Sequence, residues 1–457
     1  MASRLLANTL QANVGLTKQF VRPLATAAKQ AGATRITNLP NGLTVATDEN
    51  ASSGAATVGV WIEAGSRHES AKANGTANFL EHVALQDQAA KFEKVGGVLN
   101  AQTGREQTYY AAKTLGANVK ESVQILADLI QNTKIDSTTV DKHRSAVLKQ
   151  QEDAQNDFEA VVFDHLHATA FQGESLGRPV EGIKETVEQL TADDLSAFHK
   201  QYYTADRMVL VGSGAVDHEA LVRYAEENFK SLAASASNVA TDKPAFTGSE
   251  IRLRDDVLPQ ARIALAVEGA PYLSEDYFHL LVMQAIIGAW DKNLNGAPFL
   301  SSKLSNITSE NKLANAFASF TKGYKDTGLW GMYVETENRA QIDDFVHFLQ
   351  KEWNRLSTSV TASEVERAKQ QVKGSLLLSL DSTCAVAQDI GSQVLASGKH
   401  LSADELKATI NKISVNDIRK SAYKYIWDQE IAVVGHGPCE GLTDYNRVRG
   451  NMAYNRF

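Results

Sequence analysis

The sequence predicts an α+β fold of two homologous units joined by a linker, each a mixed or antiparallel sheet packed with helices. Three observations predict it. Strand-like and helix-like segments follow one another without a regular βαβ rhythm, which argues against a doubly wound parallel sheet. The segments also recur. Val209-Leu210-Val211-Gly212-Ser213-Gly214 returns as Ala432-Val433-Val434-Gly435-His436-Gly437, and Leu190-Thr191-Ala192-Asp193-Asp194-Leu195 returns as Ile413-Ser414-Val415-Asn416-Asp417-Ile418, at offsets of 223 to 225 residues that agree along the chain. Finally, a polar, small-residue stretch from Ala233 to Pro244 separates the copies. The expected units are residues 30–232 and 248–457, with a linker at 233–247.

Taken in order, Ile36 to Thr47 reads as a hairpin, because Asn41-Gly42 is a turn signal between alternating apolar residues. Thr57 to Ile62 reads as a strand ending at Ala64-Gly65-Ser66. Val119, Val123, Leu126 and Ile130 fall on one face of a helix over 119–132. Val123 to Gln150 predicts helix, turn, helix, and Phe345 to Leu376 repeats that plan, with Val365 standing where Val140 stands. Thr191 and Ser414 are hydroxyl N-caps followed by acidic first turns. Val211-Gly212-Ser213-Gly214 is a strand running into a turn and not a phosphate cradle. Position 217 is Asp where G-x-G-x-x-G needs glycine, and no P-loop lysine follows.

Bulk properties narrow the function. A chain of 457 residues is too long for one ordinary core. A net charge of −8, without a Lys/Arg stripe, excludes nucleic acid as the main partner. Only Cys384 and Cys439 are present, without C-x-x-C spacing, so they read as small packing residues. No run of 18 uncharged apolar residues occurs, so no transmembrane span is expected. From Met1 to Thr47 there is no Asp or Glu, whereas Arg4, Lys18, Arg22, Lys29 and Arg35 are basic. That acid-poor, hydroxyl-containing stretch reads as a mitochondrial transit peptide over about residues 1–25, cleaved near Arg22-Pro23-Leu24-Ala25.

The chemistry-bearing run is Asn78-Phe79-Leu80-Glu81-His82. An H-x-x-E-H run on a helix supplies two histidine ligands for zinc and a glutamate general base. Here the first ligand position is Asn78, a neutral hard donor that suits zinc poorly. His165 and His167, two apart on a helix, point away from each other and read as exposed or capping. His279-Leu280-Leu281-Val282-Met283 stands at the matching helix of the second copy and offers no replacement site.

Gly75-Thr76-Ala77-Asn78-Phe79-Leu80-Glu81-His82, followed by Gly104-Arg105-Glu106-Gln107-Thr108, resembles the inverzincin (pitrilysin-type) family. Gly59 to Arg67, Ile125 to Asn132, Lys325 to Gly331 and Asp444 to Arg447 resemble its mitochondrial branch, on the side of the complex III core proteins (core protein 1) and of fungal type. The resemblance implies a clamshell of two domains. It also implies that active members hold zinc through both motif histidines and a glutamate on a later helix. Aligned through Arg144 and Val147-Leu148, that glutamate position is Gln150, and a second acidic position is His143. Of the implied ligand positions Asn78, His82 and Gln150, only His82 is a zinc donor, and Glu81 is left as a vestigial base position. The expected remnant is a hydrogen-bonded polar cluster of Asn78, Gln150, Glu81 and His82, with no metal and no cofactor.

The resemblance therefore implies a structural core subunit of respiratory complex III (ubiquinol–cytochrome c reductase), without enzyme activity of its own. It would serve assembly and stability of the dimeric complex, peripherally on the matrix side of the inner membrane. Its partners would be a core protein 2-like subunit and the cytochrome b, haem and iron–sulfur subunits. The alternative within the same branch is the zinc endopeptidase β subunit of the processing peptidase, which the two missing ligands disfavour.

Overall fold

The computed structural model describes residues 34–454 apart from 51–52, 95, 236–241 and 295–301. The transit peptide expected over residues 1–25 lies outside the described residues, as does part of the 233–247 linker.

The chain runs β1 (Arg35–Asn38), β2 (Thr44–Glu49), β3 (Ala55–Ile62), α1 (Thr76–Lys94), β4 (Val98–Thr103), β5 (Thr108–Leu115), α2 (Val119–Gln131), α3 (Ser137–Ala154), α4 (Phe158–Ala170), α5 (Lys184–Gln189), α6 (Ala192–Tyr202), β6 (Met208–Gly214) and α7 (His218–Asn228). It continues with β7 (Glu250–Arg254), β8 (Ala261–Gly269), α8 (Glu275–Ile287), β9 (Ala289–Asp291), α9 (Lys303–Asn311), β10 (Ala316–Gly323), β11 (Gly328–Thr336), α10 (Ile342–Leu356), α11 (Ala362–Ser379), α12 (Thr383–Ser397), α13 (Ala403–Lys412), α14 (Val415–Tyr425), β12 (Ala432–Gly437) and α15 (Tyr445–Tyr454). The strands form two six-stranded sheets, in the orders β1-β2-β6-β3-β5-β4 and β7-β12-β8-β11-β10-β9. Among the described residues the parallel pairs are β2–β6 and β7–β12. The run β2-β6-β3-β5-β4 thus matches β7-β12-β8-β11-β10, and β1 and β9 are additions at opposite edges. The fold is α+β, as the sequence predicts.

Local chemistry accounts for the elements. Gly42 at φ +96° turns the β1–β2 hairpin, and the Asn41 side chain accepts the Leu43 amide proton at 3.2 Å. Past its first residue β3 is buried throughout, the mark of a central strand covered on both faces. Thr191 and Ser414 cap α6 and α14 in reciprocal boxes with Asp194 and Asp417.

Each sheet has one face covered locally and the other covered by a helix from the other copy. In the first sheet, Val45, Val58, Val60 and Tyr110 pack under α1, α2 and α7. Its second face, Ala46, Trp61, Val209 and Val211, is covered by Ala387, Ile390 and Val394 of α12. Reciprocally, Val162, Leu166 and Ala170 of α4 cover Ala264, Ala266, Leu329 and Val434 of the second sheet. The approach of α12 is close. Trp61 stacks on Tyr109, and a side chain at Gly391 would meet the Trp61 indole within 2.6 Å.

This exchange corrects the reading of His167 as exposed or capping. His167 is 2% exposed; Nδ1 bonds the Phe163 carbonyl and Nε2 the Tyr324 hydroxyl, both at 2.6 Å. The helix that carries it is pressed against the second sheet, and burial holds the ring neutral, far below the usual imidazole range.

The β4–β5 and β10–β11 turns meet through a buried cation. The Arg67 guanidinium donates to Asp326 Oδ1 (3.0 Å) and Oδ2 (2.5 Å), to the Asp242 carbonyl (3.1 Å) and to Glu106. Burial alone would lower the Arg67 pKa, but the two carboxylates more than offset it and raise it. The Lys325 amide donates to Glu106 at 3.0 Å, and its ammonium reaches Glu63 at 2.5 Å.

Candidate functional site

The site residues are set by how α1 begins. The first turn of α1 has no acidic residue of its own. Glu69 supplies the anion: Oε1 accepts the Ala77 amide proton at 2.7 Å, and Oε2 accepts those of Gly75 and the Asn74 side chain at 2.8 Å. Burial pushes this carboxyl up to about 7 against those three donors. Gly75 sits at φ +95°, where its Cα would lie 2.7 Å from a side chain placed at Gly182. Glycine at both positions lets the α5 segment cross directly over the start of α1.

Beside α1 lies α3, held by Arg144. Its guanidinium donates to the carbonyls of Val187 (2.6 Å), Glu188 (3.0 Å) and Leu190 (2.8 Å) and lies over the Phe79 ring. Phe79, Val83, Val140, Val147 and Val187 pack together beneath it. This packing fixes the register of α1 on α3 and brings Asn78, His82 and Gln150 together, as the sequence alignment through Arg144 and Val147 requires. Gln150 Oε1 lies 2.5 Å from His82 Nε2 and accepts from Asn78 Nδ2 at 3.3 Å. One amide side chain thus contacts both Asn78 and His82.

Glu81 faces the other way, 9% exposed, toward the end of β4. Thr103 Oγ1 donates to its Oε2 at 2.6 Å. Burial raises the Glu81 carboxyl above its ordinary range, opposed by the Thr103 bond and the nearby His82. Glu181 is raised as well, by burial and then by Asp164, and Asp164 is paired with Arg105 at 2.5 Å. The sequence reading missed Glu69, Thr103 and Glu181, since none lies in the motif and only the tertiary contact brings them to it. His143 is 3% exposed on α3. Among the described residues no three His, Cys, Asp or Glu side chains converge on a point, so His143 rebuilds no donor set with Glu81 and His82.

The residues therefore do not fit zinc. A catalytic zinc takes three protein donors and an open position. Here two of the three positions are neutral amides, which leaves His82 as a single donor. What the site does offer is a buried carboxyl, raised above its ordinary range, beside a sheet-edge strand. Among the described residues β4 is an edge strand that pairs with β5, and its last residue, Thr103, holds Glu81. Among the described residues no helix is long and apolar enough to cross a membrane.

Comparison with known proteins gives the site its context. Residues 44–184 match the family described as insulinase (peptidase family M16), and residues 189–372 match the peptidase M16 inactive domain. The chain is 46% identical to the mitochondrial-processing peptidase subunit beta of Lentinula edodes, covering 99% of both chains. It is 46% identical to the protein of that name from Neurospora crassa, covering 100% of both, and 40% identical to the human one, covering 93% of this chain and 88% of that one. A solved chain of complex III2 from Candida albicans, with Inz-5 bound, superposes with a TM-score of 0.86 at 35% identity, covering 92% of this chain and 99% of that one.

These relatives overturn the expectation that the chain is not an enzyme. Proteins 46% identical along its whole length are named as subunits of a peptidase. The expectation passed from the donor atoms of one metal site to the activity of the whole polypeptide. Donor loss decides what Asn78, His82 and Gln150 can bind. It does not decide what a peptidase subunit contributes elsewhere on its surface.

Proposed function

The chain belongs to the M16 (insulinase-type) peptidase family, and from that premise we propose that it serves as the β-type subunit of a mitochondrial presequence-processing peptidase. The observation that carries this reading is its identity to fungal subunits of that name, which extends from end to end of both chains. The local geometry supports a peptide-handling part. An extended peptide adds to the free edge of β4 by main-chain hydrogen bonds, which runs it past Glu81. We place the chain in the mitochondrion, with domains at 30–232 and 248–457. As to the metal, we assign no zinc ligand to Asn78, His82 or Gln150.

A second reading is favoured by the Candida albicans likeness: a core subunit of complex III at the matrix face of the inner membrane, beside a core protein 2-like subunit and the cytochrome b, haem and iron–sulfur subunits. One experiment separates the two. The tagged chain is purified from mitochondria, its partners are identified by mass spectrometry on native gels, and each pool is assayed for presequence cleavage. The peptidase reading requires a soluble heterodimer that cleaves, with the cleavage lost when this chain is depleted. Quantitative migration with cytochrome b, and no change in cleavage on depletion, would sink it in favour of the core-subunit reading.

A further inference from the structure

We propose that the segment from Arg178 to Thr186 is a strap across the start of α1, seated or lifted according to whether Glu69 carries a proton. The proposal does not depend on the peptidase reading.

The fastenings of the strap converge on one pair of buried side chains. Glu69 is 5% exposed and Asn74 1%. Asn74 gives one amide hydrogen to Glu69 Oε2 at 2.8 Å and the other to the Pro179 carbonyl at 3.0 Å. Its own carbonyl is reached by Thr186 Oγ1 at 2.9 Å, and Arg178 Nη1 donates to the Glu69 carbonyl. One further fastening lies on α3, where Gln151 Nε2 donates to the Gly182 carbonyl at 2.6 Å. Glu69 is thus enclosed by its own loop, by the first turn of α1 and by the strap. Of these the strap is the loosest, irregular from Arg178 to Ile183 and partly or fully exposed there except at Gly182.

Neighbouring charges do not take over the response. Arg178 is the charged group that faces the Glu69 carboxyl, and the first turn of α1 carries none. Arg67 turns to Glu106 and Asp326, and the His68 ring to Tyr202. On the strap, Glu181 is coupled to Asp164, Arg105 and Glu81, while Lys184 and Glu185 are exposed.

Burial sets the direction. It pushes the Glu69 carboxyl up to about 7 against its three donors, and water entering under a lifted strap returns it to 4.5. Between those values the seated form holds a proton that the lifted form lacks. Lifting therefore grows easier as the pH rises, by about tenfold per pH unit and about 300-fold in all, and levels off above pH 7. Glu181 rides on the strap, so lifting takes it away from Asp164 and Glu81 and opens that side of the site.

The test is amide hydrogen exchange of the full chain, followed by mass spectrometry across this pH range and corrected for the intrinsic rise of exchange with pH. Peptides covering 74–79 and 178–186 report the strap, and one covering β6 reports the core. Expected is an opening of the first two that grows about 300-fold up to pH 7 and then levels off, while β6 stays protected. Glu69→Gln, which cannot ionise, should abolish the growth. Gln151→Leu should raise opening at every pH and keep the slope, which decides the case if Glu69→Gln does not fold. A flat profile in the parent chain would overturn the proposal. So would a Glu69→Gln variant with the parent's slope, a Gln151→Leu variant without it, or a β6 peptide that exchanges in step with the strap.

Discussion

Replacing Arg67 by methionine removes a cation that Asp326, Glu106 and the Asp242 carbonyl share. The Arg67 side chain is 1% exposed, whereas its carboxylate partners keep 22% and 25%. Breaking a buried pair from one side costs about 3–5 kcal/mol, because the remaining charge stays desolvated. The partial exposure of both carboxylates places Arg67→Met at the lower end, about 3 kcal/mol. At about 2–4 °C per kcal/mol for units of this size, the melting temperature should fall by about 6–12 °C. Differential scanning calorimetry on the purified chain measures it. Adding Glu106→Gln and Asp326→Asn to Arg67→Met should recover at least half of the loss, since no bare carboxylate then remains. The reasoning fails if Arg67→Met melts within about 2 °C of the parent, or if the triple variant is no better than the single one.

Three other outcomes are expected. Asn78→His combined with Gln150→Glu should bind zinc at one equivalent by metal analysis, with a melting temperature that rises on zinc addition; a double variant that stays zinc-free would show that positions 78, 82 and 150 do not face one another. His68, packed among Glu63, Arg207, Arg67 and Lys325, is driven by burial from 6.5 to about 4. The folded state then binds fewer protons between those values, so His68 supports full stability above pH 6.5 and loses about 3 kcal/mol as the pH falls toward 4; if the melting temperature of His68→Phe falls as steeply over that range as the parent's, the burial argument is wrong. Gly391→Ala should force α12 off Trp61 at a cost of about 1–3 kcal/mol, seen as altered tryptophan fluorescence, and a variant with unchanged emission and melting would refute that close approach.

What the sequence made legible was whatever is local or repeated. The Asn41-Gly42 turn, the capping boxes at Thr191 and Ser414 and the paired strands β6 and β12 depend on neighbours a few residues away, or on the same plan being written twice. The facing of Gln150 with His82 was legible too, because Arg144 and Val147 carry the register. What could not be read was which sheet each amphipathic helix covers. The apolar residues of α4 and α12 announce a buried face, but periodicity names no partner, and here the partner belongs to the other copy. His167 was misread for that reason. Glu69 and Thr103 were invisible for a related one, since a carboxylate eight residues ahead of Ala77 and a threonine on another strand carry no spacing signal.

The crossing of α4 and α12 sets a timetable for the nascent chain. The first sheet is complete once β6 has left the ribosome at Gly214, yet the helix that covers Trp61, Val209 and Val211 begins only at Thr383. At about 5–20 residues per second, that face waits roughly ten to thirty seconds without its cover. A chain truncated between the two copies would leave it bare for good, with α4 stranded beside it and no second sheet to receive it. Expression of residues 34–232 alone should therefore yield chaperone-bound or aggregated material, and supplying residues 248–457 in trans should draw it back into solution.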